Sequence, residues 1–204
     1  MADHIKGTNG YEREAEALLV RYETISFDEA HGDILHLIPP VPALILDIGS
    51  GTGRDAAHLA ALGHRVVAVE PTDALRRGAA VLHPSPAIEW VDDGLPDLVR
   101  LADRRERFDL VMMTAVWMHL APAERARAMP VVASFIRPGG CLVMTLRHGT
   151  VPLGRRMFEV TAAETIALAR AERLTLLLEQ HRGSLQEPNR GAGITWTRLA
   201  FRRL

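Results

Sequence analysis

Cysteine is almost missing from this chain of 204 residues: Cys141 stands alone, which excludes an internal disulfide framework and any zinc site built on thiolates. Lysine is as scarce. Lys6 faces 23 arginines, a coding bias toward arginine as much as a binding device. No apolar run approaches the roughly 18 residues a membrane-spanning helix needs, so no membrane partner is expected. Residues 1–10 have no apolar core, so no signal peptide is expected either, and the expected setting is cytoplasmic. Repeats, low-complexity tracts and Gly/Ser-rich linkers are also missing, and 1–204 reads as one domain. What remains is 48% apolar and 24% charged, with a net charge of −1: an ordinary globular composition, with nucleic acid disfavoured as a partner. The charge is unevenly placed. Residues 1–146 carry 14 basic and 20 acidic side chains, whereas 147–204 carry 10 and 5.

Strand-like runs alternate with helical patterns, the sequence form of a parallel sheet built from βαβ units. Strands are expected at 43–48, 65–69, 87–91, 108–114, 141–146, 174–179 and 194–201. The first is continuously apolar, as a strand buried on both faces should be. Helices are expected at 54–62, closed by Gly63, at 72–82 with Thr72 as N-cap, at 122–136 with a kink at Pro130, and from Thr161 to about 173. Ser26–Glu29 and Thr161–Glu164 have the spacing of capping boxes. Ahead of the sheet, 11–22 and 27–37 read as amphipathic helices. This prefix, 1–40, reads as a lid whose Tyr11, Tyr22 and Phe27 close over a ligand, or as a cover whose Leu18, Leu19, Ile34, Leu35 and Ile38 shield the sheet, and both can hold at once. The core is 43–147, and 148–204 forms a part on the substrate side.

The informative stretch is Leu46-Asp47-Ile48-Gly49-Ser50-Gly51-Thr52-Gly53-Arg54-Asp55, a strand running through alternate glycines into a helix. Glycine lets backbone turn sharply and approach a ligand without a Cβ in the way. A dinucleotide fingerprint, G-x-G-x-x-G, needs a third glycine where Arg54 stands, which argues against a nicotinamide enzyme. No Gly-Lys-Ser/Thr follows, so a P-loop is not expected. Glu70, ending the second strand, can accept both hydroxyls of a ribose. Asp92 and Asp93 end the third. The nine histidines show no ligand spacing such as H-E-x-x-H, and no metal is expected.

In these motifs the chain resembles the class I S-adenosylmethionine-dependent methyltransferases, over about 43–147. The glycine loop is similar to their first motif, Glu70-Pro71 to their ribose-binding position, and Val91-Asp92-Asp93-Gly94-Leu95-Pro96 to their adenine segment, with Asp93 the better match. Residues 108–120 resemble their fourth strand and its loop, and Arg137-Pro138-Gly139-Gly140 the turn into the fifth. Small bacterial small-molecule enzymes, including the tellurite-resistance type, look nearest. The resemblance implies a doubly wound, mostly parallel seven-stranded α/β sheet. It also implies S-adenosylmethionine as cofactor, S-adenosylhomocysteine as product, and contacts from Asp47, Gly49, Ser50, Gly51, Thr52, Gly53, Glu70, Pro71, Asp92, Asp93, Gly94, Leu95, Thr114, Ala115 and Val116. The amide-methylating Asp/Asn-Pro-Pro-Tyr/Phe signature is replaced by Thr114-Ala115-Val116-Trp117, which argues against adenine or glutamine N-methylation.

Methyl transfer from a sulfonium rests mainly on in-line positioning with water excluded. If a base is used, His119 is the first candidate and His148 the second; the favoured reading of His119 is a helix-start residue packing at the cofactor rim. Ligands in open α/β sheets bind beyond the carboxyl ends of the strands. Tyr22, Trp117, Arg147, Arg155 and Arg156 are therefore the expected substrate contacts, and the arginines suggest a small anionic molecule unless they are simply solvated. A protein or RNA acceptor and a non-catalytic cofactor-binding module are the alternatives. A monomer or homodimer is expected.

Overall fold

The computed structural model describes residues 6–204, so the first part of the signal-peptide expectation, on 1–5, lies outside the described residues. One seven-stranded sheet organises them: β1 (Leu44–Ile48), β2 (Arg65–Val69), β3 (Ile88–Val91), β4 (Phe108–Met113), β5 (Ile136–His148), β6 (Leu174–Gly183) and β7 (Thr195–Arg203). Their order is β3-β2-β1-β4-β5-β7-β6. The first five pair in parallel, while β7 runs antiparallel to both β5 and β6.

The inner strands β1, β2 and β4 are almost wholly apolar because both faces are buried, whereas β3 and β6 at the two edges are partly exposed. Leu46, Ile48, Val111, Met113, Leu142 and Met144 point into one core with α5 (Pro122–Phe135) and α6 (Ala162–Ala171). The alternate residues Ile45, Leu110, Met112 and Val143 point into a second core with α2 (Phe27–His31) and α3 (Arg54–Ala61). A third cluster joins Ala15 and Leu18 of α1 (Tyr11–Arg21) to Leu75 of α4 (Asp73–Leu82). A short α7 (Glu187–Gly191) precedes β7. Among the described residues no helix is long and apolar enough to cross a membrane.

Several local expectations change. The second prefix helix ends at His31, and only a 3-10 turn over Leu35–Leu37 follows. Gly32 is a poor helix former, and Asp33 turns to Arg198 at 3.1 Å and Arg182 at 4.0 Å. Ser26–Glu29 is a full capping box, with Ser26 N–H donating to Glu29 Oε2 at 2.8 Å. Thr161 caps Glu164 N–H at 3.1 Å, but the Glu164 carboxylate turns instead to Arg125. Thr72 occupies the N-cap of α4 without a side-chain cap; its amide and hydroxyl serve Glu70. β5 starts at Ile136, five residues early, because the Arg137–Gly140 turn is a bulge between the pairs Phe108↔Ile136 and Leu110↔Cys141. The helix at 122–135 runs on through Pro130. Pro130 and Ala126 are both exposed, so water can satisfy the carbonyl that the proline leaves without a donor.

Arg125 locks the helical layer over the sheet. It is buried, grips both oxygens of Glu164 at 2.9 and 2.8 Å, and donates to the carbonyls of Leu120 and Glu159. Arg125→Ala is expected to lower stability by about 2–3 kcal/mol, less than a fully buried broken pair because Glu164 is a third exposed. Urea denaturation measures it; an unchanged midpoint would contradict the assigned role.

Candidate active site

The carboxyl ends of β1, β2 and β4 open on a cavity of about 1020 Å³, which also takes walls from α1, α2, the segment 152–157 and β7. That volume sits at the upper end of small-molecule sites, about 300–1,000 Å³. Three glycines shape its floor. Gly49, Gly51 and Gly53 have φ of 71°, 57° and 83°, left-handed values that favour glycine. At Gly53 a Cβ would strike the Trp90 ring at 2.5 Å, and Gly53 does not line the cavity. At Gly51, which does, a Cβ would meet nothing within 4 Å, so its backbone lies open to a ligand.

Three buried carboxylates surround this floor. Asp55, on the first turn of α3, is fully satisfied: His31 Nε2 lies 2.8 Å from Oδ2, Thr114 Oγ1 donates at 3.1 Å, and Arg54 grips Oδ1 at 2.7 Å. Burial alone would raise its pKa, but His31 and Arg54 hold the carboxyl well below the ordinary range. Glu70 accepts one amide on each oxygen, from Gly51 at 2.9 Å and Thr72 at 2.8 Å. Burial still pushes it up against those bonds. Asp47 differs. It is 1% exposed, its Oδ2 has no hydrogen-bond partner among the described residues, and neither does the buried Ser50 hydroxyl. Burial pushes the Asp47 carboxyl well up, Asp55 and Glu70 add to this, and Arg54 opposes it.

Arg54, standing where a dinucleotide motif would have glycine, reaches the carbonyls of Tyr22 and Ile25 at 3.4 Å and so ties the glycine loop to the helical prefix. Thr52 does the same through Glu23 at 2.6 Å. Tyr22, Pro71, Gly94, Leu95, Ala115 and Val116 line the cavity as expected. Ala115 takes a left-handed φ of 61°, and its amide is held by the Thr145 hydroxyl at 2.8 Å, which turns the chain sharply off β4.

Other expected residues turn to partners within the protein, although Arg147 and Arg155 still line the cavity. Trp117 is fully buried in the core beneath the loop, because a 3-10 turn over Trp117–His119 rotates it inward. Asp93 spends its carboxylate on the amides of Gly94, Arg100 and Leu101, and Asp92 pairs with Arg76 and Arg100; neither lines the cavity. His148 faces a smaller cavity of about 310 Å³ and bonds the Thr197 hydroxyl at 2.7 Å, so it stands apart from the glycine loop. Arg155 pairs with Glu14 at 2.7 Å and Arg156 with Glu124 at 2.9 Å. Arg147, which lines both cavities, donates to the Thr150 carbonyl at 2.8 Å, and no carboxylate pairs with it among the described residues.

His119 does reach the cavity, 8% exposed. Its Nδ1 lies 2.8 Å from the Arg156 carbonyl, which can only accept, so Nδ1 carries the proton. Nε2 therefore accepts from the Tyr11 hydroxyl at 3.1 Å. Burial pushes the His119 pKa down against the Arg156 carbonyl, and Arg155, Arg156 and Arg147 push it further.

Two residues of the site escaped sequence reading. His31 and Arg198 form a buried chain to Asp55, with Arg198 donating to His31 Nδ1 at 2.9 Å and to the Ala30 carbonyl at 2.7 Å. Arg198 is pushed down to about 10 by burial. They lie 167 residues apart, and nothing local in the sequence signals the pair.

Comparison with known proteins agrees with this geometry. Residues 45–140 match the family described as a methyltransferase domain. An uncharacterized methyltransferase of Mycobacterium tuberculosis is 36% identical over 110 residues, 52% of this chain and 40% of that protein. The chain thus matches less than half the length of that relative. The N-methyltransferase NodS of Bradyrhizobium japonicum, solved with S-adenosylhomocysteine, superposes with a TM-score of 0.71 at 18% identity, covering 96% of this chain and 99% of that one. A TehB-like S-adenosylmethionine-dependent methyltransferase of Corynebacterium glutamicum gives 0.68 at 19% identity, over 94% and 99%. These two likenesses show the fold. Residues 45–140 thus resemble a methyltransferase domain, and the sheet that holds them has the Rossmann-like fold of these solved methyltransferases.

The glycine loop separates packing from ligand access. Gly53→Ala is expected to cost about 2–3 kcal/mol in urea denaturation, backbone strain plus the clash with Trp90. Gly51→Ala should cost about 1 kcal/mol, the strain alone. Equal losses would contradict the distinction.

Proposed function

We propose that this chain, as one domain over 1–204, is an S-adenosylmethionine-dependent methyltransferase acting on a small molecule. The observation that carries the reading is the unpartnered buried Asp47 Oδ2 beside the Ser50 hydroxyl, Glu70 and the open backbone of Gly51. A buried carboxylate without a partner is costly unless a cation meets it. S-adenosylmethionine has an ammonium, two ribose hydroxyls and a sulfonium, and this donor set fits them. Asp47 and Ser50 would hold the ammonium. Glu70, which accepts the amides of Gly51 and Thr72 and the Thr72 hydroxyl, keeps a lone pair for a ribose hydroxyl. NAD, with two phosphates, would face three carboxylates.

When bound, the cofactor supplies an activated methyl group whose leaving sulfur is neutral. The chain's own part is to position and to exclude water. Tyr11 and Tyr22 of the prefix and Met157 of the 152–157 segment wall the cavity, and Val116 packs over Gly49, where a Cβ would lie 2.5 Å from Cγ2. Arg147 is the arginine we assign to an acceptor's anionic group, since Arg155 and Arg156 already have carboxylates. A cytoplasmic setting, which the lone buried Cys141 suits, belongs to the proposal, as does a monomer or homodimer.

Calorimetric titration tests the reading. One-to-one binding of S-adenosylmethionine and S-adenosylhomocysteine, but not NAD, is expected. Asp47→Ala and Glu70→Ala should each weaken that binding about 10–100-fold, the worth of a charge-assisted hydrogen bond, with the thermal midpoint of the free protein not lowered for Asp47→Ala. Unchanged affinity in both variants would overturn the assignment.

A further inference from the structure

The best-defined polar contact on the acceptor side of the cavity is a bond across 108 residues, from the Tyr11 hydroxyl to His119 Nε2. Both side chains line the cavity and both are clamped. His119 is fixed on one side by the Arg156 carbonyl, and Arg156 returns a bond to the His119 carbonyl at 2.7 Å. Tyr11 is fixed by the Arg155 guanidinium, 3.8 Å from its ring centroid, which Glu14 holds in turn. The imidazole therefore presents one lone pair, aimed at Tyr11. The tyrosine oxygen donates there and still has lone pairs to accept a proton.

From this geometry we infer that Tyr11 and His119 form a proton relay for a methyl acceptor that enters as an acidic hydroxyl, a phenol or an enol. The inference rests on the methyltransferase reading above and adds the acceptor class. The acceptor O–H donates to the Tyr11 oxygen as the Tyr11 proton passes to His119 Nε2. The acceptor oxygen uses its freed pair to form the O–CH₃ bond, and the C–S bond breaks with its pair to sulfur. Charge balances: the sulfonium's positive charge ends on the imidazolium, which later releases the proton to water.

The electrostatics select the acid strength of the acceptor. The groups facing His119 are Tyr11 from α1, Arg147 from β5, and Arg155 and Arg156 from the 152–157 segment, with Glu14 and Glu124 behind the last two. Burial and these guanidiniums make His119 a weak base, neutral at pH 7. A weak base matches a weakly acidic hydroxyl and is poorly matched to an aliphatic alcohol. At the Tyr11 oxygen burial, Tyr22, Glu70 and Glu14 oppose an oxyanion while Arg155 favours it, so Tyr11 itself stays protonated and passes a proton rather than keeping the charge. An amine acceptor, methylated as the free base, would make no use of either feature.

The test uses 4-nitrophenol, a coloured probe of ionisation, on protein saturated with S-adenosylhomocysteine, whose own binding is measured first by calorimetry. The wild type is expected to bind the probe saturably and as phenolate, with its apparent pKa lowered relative to water. Tyr11→Phe, which keeps the ring beneath Arg155, and His119→Gln should each reduce the bound phenolate about tenfold at a fixed pH, one unit of pKa, without changing S-adenosylhomocysteine affinity. In ¹⁵N-histidine spectra His119 should be the Nδ1–H tautomer, with its Nε2 resonance shifted in Tyr11→Phe. No saturable binding of the probe, an apparent pKa not lowered relative to water, or wild-type ionisation in both variants would overturn the relay while leaving the methyltransferase reading standing. Failure of S-adenosylhomocysteine to bind would overturn both.

Discussion

Three carboxylates, Asp47, Asp55 and Glu70, are buried at one end of a parallel sheet, close enough that Asp55 and Glu70 both raise Asp47. Charge in a space of low dielectric demands partners, and much of the surrounding architecture supplies them. His31 arrives from α2 to hydrogen-bond Asp55 and Arg54 from the glycine loop to neutralise it; backbone amides of Gly51 and Thr72 bond Glu70. Arg198 then holds the other ring nitrogen of His31. Asp47 Oδ2 has no hydrogen-bond partner among the described residues, and neither does the Ser50 hydroxyl beside it. The proposed cofactor's ammonium supplies the partner for both.

The same interactions fasten the prefix over the cavity. Arg54 and Thr52 reach residues 22–25, His31 reaches Asp55, Arg155 reaches Glu14 and Tyr11 reaches His119. Lid and cover are thus not alternatives here. Leu18 and Ala15 pack on Leu75 while Tyr11 and Tyr22 wall the cavity, so one element performs both tasks.

Much of this was legible in the sequence wherever the signal was local. Continuous apolar runs gave away the strands because alternate residues feed two cores. The glycine spacing and Glu70 marked the floor of the site. Readings failed where a side chain's direction depended on tertiary partners. Trp117 was expected in the substrate wall because it follows β4, but a 3-10 turn carries it into the core. Asp93 was expected at the ligand, but three nearby amides claim it. Arg155 and Arg156 were expected to meet substrate, yet each has a carboxylate from a helix distant in sequence. His31–Arg198 and Tyr11–His119 join residues more than a hundred positions apart, and periodicity carries no trace of such pairs.

The central claim is that Asp47 waits for a cation. The most direct measurement is the number of protons exchanged when S-adenosylhomocysteine binds near pH 6, from calorimetry in buffers of differing ionisation enthalpy. Burial raises the Asp47 carboxyl and an arriving ammonium lowers it again, so any proton it holds in the free protein is released on binding and affinity should weaken as pH falls. Asp47→Asn should abolish that release. Binding with no proton exchange, and with the same affinity in Asp47→Asn, would contradict the account.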